Sequence, residues 1–134
     1  EMIERSGLGD DMNYVETDKE TLQSKKFENI FVLGDASNIP TSKAGSVAHF
    51  AAEILFENMM NAIEGRPMNA RFDGHANCFI ESGFEKGILI DFNYENEPVG
   101  GHYPGPVGLP LLKESRANHP AKKAAVKAAK AAGN

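Results

Sequence analysis

Four kinds of residue in this chain could do chemistry. The first is Gly34-Asp35, which closes the apolar run Ile30-Phe31-Val32-Leu33. In open α/β sheets ligands bind at the carboxyl ends of strands. A glycine there permits close backbone approach, and a carboxylate accepts hydrogen bonds from a sugar or ribityl hydroxyl. A turn glycine followed by a helix-capping aspartate is the structural alternative. The second is Cys78, the single cysteine, which serves either as a small buried apolar residue or as a redox or nucleophilic thiol. The third is Lys43, placed where a helix should start and where the helix dipole disfavours a cation. It is either solvated or set beside an anionic or electron-rich group. The fourth is the set of histidines, His49, His75, His102 and His119. His49 and Glu53 are four apart, but no third ligand stands at a useful spacing, so no metal site is expected. Gly7-Leu8-Gly9 imitates a dinucleotide loop and fails, because Met12 stands where GxGxxG needs its third glycine.

The elements that must position these residues follow from hydrophobic pattern. Residues 29–35 read as a strand buried on both faces, a pattern usual in parallel sheets. Thr41 or Ser42 can cap the helix that follows. From Lys43 to Glu64 the residues Val47, Ala51, Ile54, Leu55, Asn58, Met59, Ala62 and Ile63 share one broad face, and Gly65-Arg66-Pro67 ends the helix. Strand, glycine turn and long helix make half of a βαβ unit. Glu1–Glu28 reads as loops and short strands.

Ala76–Ser82 and Lys86–Tyr94 read as an antiparallel hairpin joined through Gly83-Phe84-Glu85. Cys78 and Ile80 share one face of its first strand, and Ile88, Ile90, Phe92 and Tyr94 one face of its second. Between Pro98 and Pro110 eight of thirteen residues are Gly or Pro, a composition expected to form neither helix nor central strand but a loop that crosses a surface. An Ala/Lys helix is expected from about Ala121 to Ala132. The fold class is therefore α/β: a partial Rossmann-like domain with one long helix, a β-hairpin and a carboxy-terminal helix. Three regions follow, residues 1–75, 76–110 and 111–134.

With 134 residues, 41% of them apolar, the chain can form one domain or a piece of a larger one. No apolar run reaches the ~18 to 20 residues of a membrane span, and one cysteine permits no internal disulfide. The net charge of −5 argues against nucleic acid as the main partner. Charge is uneven: Leu111–Asn134 holds six bases against one acid, which leaves −10 on the first 110 residues. A solvated basic tail is the plain reading, and contact with an anionic membrane surface is the functional one.

Asn29-Ile30-Phe31-Val32-Leu33-Gly34-Asp35-Ala36, followed by Pro40-Thr41-Ser42-Lys43-Ala44-Gly45, resembles the carboxy-terminal flavin motif of flavoproteins with two dinucleotide-binding domains. Within that superfamily the chain is most similar to the sulfide:quinone oxidoreductases. Ser46-Val47-Ala48-His49-Phe50 continues the helix as theirs does. Asn77–Gly83 with Ile88–Phe92 resembles the strand pair that bears their second redox cysteine, and Leu111–Arg116 the segment with a lysine near flavin and quinone. The resemblance covers about residues 18–119.

It implies FAD as cofactor, with Gly34 and Asp35 at the ribityl chain and Pro40, Thr41, Lys43 and Ala44 near the isoalloxazine. It implies Cys78 and Lys113 as catalytic residues, sulfide as electron donor and quinone as acceptor. The amino-terminal GxGxxG portion and the partner cysteine lie outside this sequence. The resemblance therefore leads to the expectation of a carboxy-terminal portion, inactive by itself, soluble, and prone to self-association through uncovered apolar surface. The full-length enzyme is expected to be peripheral to a prokaryotic membrane. A flavocytochrome c sulfide dehydrogenase-like or NADH:quinone flavoprotein, or a non-catalytic interaction module, are the alternatives.

Overall fold

The structure, a computed structural model, describes residues 2–98 and 100–132. Val99 of the Gly/Pro segment and Gly133 and Asn134 of the tail lie outside the described residues. The chain forms two compact units, Glu1–Ala76 with Asn93–Glu95, and Asn77–Phe92 with Asn96–Asn134. The class is α/β, with three α-helices and one four-stranded sheet among the described residues.

In the first unit, α1 (Met2–Ser6) is a five-residue helix where only loops and short strands were expected. The long helix, α2, runs Gly45–Ile63, about 28 Å at the standard rise. Val47, Ala51 and Asn58 are its buried positions. Ile54, Leu55 and Met59 are half-buried, but Ala62 is exposed and Ile63 is 72% exposed. The expected apolar face therefore thins at its carboxyl end. There Leu55, Met59, Ala62 and Ile63 line an open groove of about 580 Å³ with Phe31 and Gln23. Gly65, at φ +67°, ends the helix as the sequence implies.

The expected strand over 29–35 does not form. Phe31 makes one antiparallel bridge to Gln23, Val32 N–H donates to Leu22 O at 2.9 Å, and Ser24 N–H donates to Ile30 O at 2.8 Å. Among the described residues this run has no parallel neighbour. It is an extended segment with Val32 buried and Leu33 41% exposed. An apolar run reports burial, not pairing, and a strand needs a partner on at least one edge. Bridges Val15↔Ser37 and Thr17↔Ser24 complete this irregular half, and Val15, Leu22, Val32 and Ile39 fill its core.

Side chains replace regular ladders there. The Asp18 carboxylate accepts from Glu20 N–H, Thr21 N–H and Thr21 Oγ1 at 2.8–3.1 Å. The Thr21 N–H chiefly holds the Asp18 carboxyl below its ordinary value. Asn58 Nδ2 donates to Thr21 O and Ala70 O, and Asn58 Oδ1 accepts from Ala70 N–H, at 3.0–3.2 Å.

In the second unit, β1 (Ala76–Gly83) and β2 (Lys86–Phe92) are neighbours joined by Phe84-Glu85. Both connecting residues have positive φ, 49° and 58°, the requirement of the two-residue turn that matches strand twist. The Gly/Pro segment departs from expectation. It contributes β3 (Gly101–Tyr103) and β4 (Leu109–Leu111), which pair antiparallel, while β4 lies parallel to β2 through Leu89↔Leu111. The sheet order is β1-β2-β4-β3. Proline is tolerated inside β4 because the strand is only three residues long, and the Pro110 carbonyl finds its donor in a side chain, Asn118 Nδ2.

The buried face of β2 also differs from the expected one. Gly87 and Leu89 are buried, whereas Ile88, Ile90 and Phe92 are half-buried and Tyr94 belongs to the first unit. The reason is α3 (Asn118–Ala132), which packs on β2 and whose Asn118 Nδ2 donates to Gly87 O at 3.1 Å. This helix starts three residues before the expected Ala121, where Asn118 N–H donates to Ser115 Oγ.

Candidate functional site

Gly34 opens a single 3-10 turn over Gly34–Ala36. Its φ of +68° lies in the left-handed region, which costs an L-residue about 1–2 kcal/mol. The Gly34 carbonyl accepts from Ser37 N–H at 3.2 Å and Ser37 Oγ at 2.8 Å. A Cβ on Gly34 would meet only Ala48 Cβ, at 3.7 Å, so the turn faces the first turn of α2. Asp35 is exposed, and no hydrogen bond or ion pair joins its carboxylate to another described residue. It is not a helix cap, because α2 begins ten residues later.

Neither Thr41 nor Ser42 caps α2. Ala44 holds the cap position with extended backbone and no side-chain hydrogen bond. Thr41 Oγ1 donates instead to Gly74 O at 3.3 Å. Ser42 Oγ is buried without a partner. Pro40 is exposed. Lys43 folds back from the helix: its Nζ donates to Ser37 O and lies 4.7 Å from the centre of the Tyr14 ring. This satisfies the ammonium on the turn after Gly34-Asp35 and against the Tyr14 ring.

The structure thus brings Gly34, Lys43 and the opening of α2 together. Sequence reasoning missed Tyr14 under the lysine and the orphaned Ser42 hydroxyl. It also missed the stack of Phe50 on His75, with ring centres 4.3 Å apart. Nothing local marks Tyr14, which is 29 positions from Lys43.

Cys78 and Lys113 stand in the second unit. Cys78 is a free, half-buried thiol on β1. Beside it in sequence, Asn77 Nδ2 donates to the Asp91 carboxylate of β2. Lys113 is exposed and borders an open cavity of about 560 Å³ with Gly101, His102, Pro110, Leu111 and Ser115. Glu114 is paired with Lys86 at 2.7 Å, and this contact chiefly holds its carboxyl below the usual range. Among the described residues no three His, Cys, Asp or Glu side chains gather as a metal site. No described helix is long and apolar enough to cross a membrane.

An extended run, a positive-φ glycine turn and a long helix opening behind it define a partial Rossmann-like α/β domain. A chain in the cryo-EM structure of the Tetrahymena thermophila mitochondrial ATP synthase agrees, with a TM-score of 0.68 at 28% identity over 83% of this chain and 24% of that one. Two curated relatives are mitochondrial sulfide:quinone oxidoreductases. That of Schizosaccharomyces pombe is 36% identical over 98 residues, 73% of this chain, and that of Dictyostelium discoideum 42% identical over 94 residues, 69% of it. No family model matches.

The chain is a carboxy-terminal, sulfide:quinone oxidoreductase-like portion, and it spans about one fifth of the length of these relatives. Their names place them in mitochondria of eukaryotes, a different setting from the prokaryotic membrane expected from the sequence.

Proposed function

We propose that this chain is part of a flavoprotein that oxidises sulfide to polysulfur or elemental sulfur and reduces quinone, with bound FAD supplying the two-electron acceptor between them. The similarity to sulfide:quinone oxidoreductases at 36–42% identity carries this reading. Three features of the first unit fit a flavin: the positive-φ Gly34 turn, the α2 start without a side-chain cap, and the buried Ser42 hydroxyl without a partner. The positive end of a helix dipole without a side-chain cap favours electron-rich atoms.

In this reading Gly34 and Asp35 hold the ribityl chain, the Asp35 carboxylate accepting hydrogen bonds from its hydroxyls. Pro40, Thr41, Lys43 and Ala44 line the ring system. Cys78 would be one of a redox cysteine pair whose other member lies in the remainder of the longer protein: hydrosulfide attacks the disulfide of the oxidised pair, one cysteine sulfur leaves as thiolate, and the two electrons would pass on to bound FAD. Lys113 offers a cation to a quinone oxygen. The amino-terminal portion of the longer protein completes the flavin site, and the portion alone does not turn over. The Lys-rich face of α3 contacts anionic lipid, at about 1 kcal/mol for each lysine near the surface.

Replacement of Cys78 by Ser in the FAD-loaded full-length protein tests this reading. Sulfide-dependent quinone reduction should fall by about a thousandfold, as expected for loss of one cysteine of the pair, with FAD content unchanged. Wild-type turnover in that variant rejects it.

A further inference from the structure

Asn118 is fully buried at the start of α3. Its Nδ2 reaches three carbonyls from three segments: Gly87 O on β2 and Pro110 O on β4, both at 3.1 Å, and Lys113 O at 3.4 Å. The segment it grips is also held by backbone bonds and, on either side, by Glu114 tied to Lys86 at 2.7 Å and Ser115 Oγ accepting from Asn118 N–H at 3.2 Å, but among the described residues only Asn118 has a side chain bonded to the Lys113 backbone. Leu112 N–H donates to Leu89 O at 2.8 Å, and Gly87 and Ser115 exchange two bonds of 3.0 Å. The Lys113 side chain makes no ion pair among the described residues, and its neighbour Glu114 is already neutralised by Lys86. Lys113 is therefore a cation with a fixed backbone and a free end, standing over an open cavity.

We propose that Asn118 is a positioning residue that holds the Lys113 backbone so that the ammonium meets a quinone oxygen in this cavity. This rests on the quinone role given to Lys113 above. Asn118→Asp keeps the side-chain shape and removes both amide donors.

The test compares Asn118→Asp, Lys113→Ala and the double variant in the FAD-loaded full-length protein. It reads the quinone KM and, separately, the rate at which hydrosulfide reduces the flavin. Asn118→Asp should raise the quinone KM about tenfold, the size usual for a partner that orients a ligand-contacting group. It should leave the hydrosulfide step within about twofold and add nothing once Lys113 is Ala.

An equal increment on the Lys113→Ala background, or a parallel fall in the hydrosulfide step, means general destabilisation and overturns the proposal. If Lys113→Ala raises the quinone KM and Asn118→Asp does not, only the positioning role falls. If Lys113→Ala leaves it unchanged, the quinone role of Lys113 falls and the positioning role with it. Should Asn118→Asp fail to fold, Asn118→Ser, which retains one donor, carries the same comparison with a smaller rise.

Discussion

Each unit is stitched by one fully buried asparagine, and the two differ in how completely they are satisfied. Asn58 in the first unit uses both ends of its amide, donating to Thr21 O and Ala70 O and accepting from Ala70 N–H. Asn118 in the second unit directs its two N–H bonds among three carbonyls, while its Oδ1 is buried without a partner. A buried amide stabilises in proportion to the groups it satisfies, and an unpaired acceptor offsets part of the gain. The first unit needs such a device because its amino-terminal half has bridges in place of ladders. The second has a sheet and needs only a fastener between strands and helix.

Substitution of each asparagine by alanine tests this difference most directly. Asn58→Ala should cost about 3 kcal/mol, because it strands Thr21 O and Ala70 N–H and leaves Ala70 O with the Arg71 guanidinium alone. Asn118→Ala should cost less, about 2 kcal/mol, since it also removes an unpaired acceptor. Urea unfolding of both variants reads the order, and a larger loss for Asn118→Ala contradicts it.

Next in size is Gly74→Ala in the first unit. Gly74 has φ +82°, and a Cβ there would lie 2.3 Å from the Tyr94 ring. Overpacking combined with left-handed strain should cost about 2–3 kcal/mol. Gly101→Ala in the second unit meets nothing within 4 Å and should cost only the backbone term, about 1 kcal/mol. Thermal melts showing equal losses would mean that the Tyr94 ring yields freely.

A smaller effect separates the units at high pH. Burial, and then the nearby Asp73, push the Tyr94 hydroxyl up to about 12, and it donates to Lys19 O at 2.9 Å. A raised value means the stabilisation is complete below the ordinary tyrosine pKa near 10 and is lost as pH climbs towards 12. Tyr94→Phe should lower stability by about 1 kcal/mol at neutral pH and flatten the alkaline loss. An unchanged alkaline slope assigns that loss to other groups.

The smallest effect is at Lys86–Glu114 in the second unit. Its depressed carboxyl means the contribution is present near neutrality and disappears as pH falls through the folded value. Because the pair is exposed, added salt should erase most of the difference between wild type and Lys86→Ala. A difference that survives high salt points to lost packing by the lysine stem.

Legibility in the sequence followed the range of the interaction. The hairpin and the long helix could be read, because turn chemistry and a 3.6-residue period are local. Asn58 fell on the expected helix face by spacing alone. The run 29–35 was misread because four apolar residues signal burial equally well in a strand or in an extended segment. The buried face of β2 was misassigned because Gly87 is buried by the approach of α3, which no pattern within the strand announces. β3 and β4 were hidden by glycine and proline.

At the candidate site, Gly34, Asp35 and Lys43 stood out by type and position. The tie of Lys43 to Ser37 and Tyr14 did not, because it depends on the return of a distant segment. Asn118 carried no signal, as its three acceptors are backbone carbonyls.

The bridges between residues 9 and 37 have a spectroscopic consequence. This stretch has neither a ladder nor a helix longer than one turn, so in far-ultraviolet circular dichroism it resembles coil. Its amides tell another story: Val15 N–H donates to Ala36 O and Val32 N–H to Leu22 O, and both donors are buried residues. Proton exchange at these positions should be slow. Ellipticity would register α2 and α3 and overlook the opening of this stretch, so a variant that appears intact by dichroism can already have lost the scaffold under Gly34. Exchange at Val15 and Val32 is the probe that would see it.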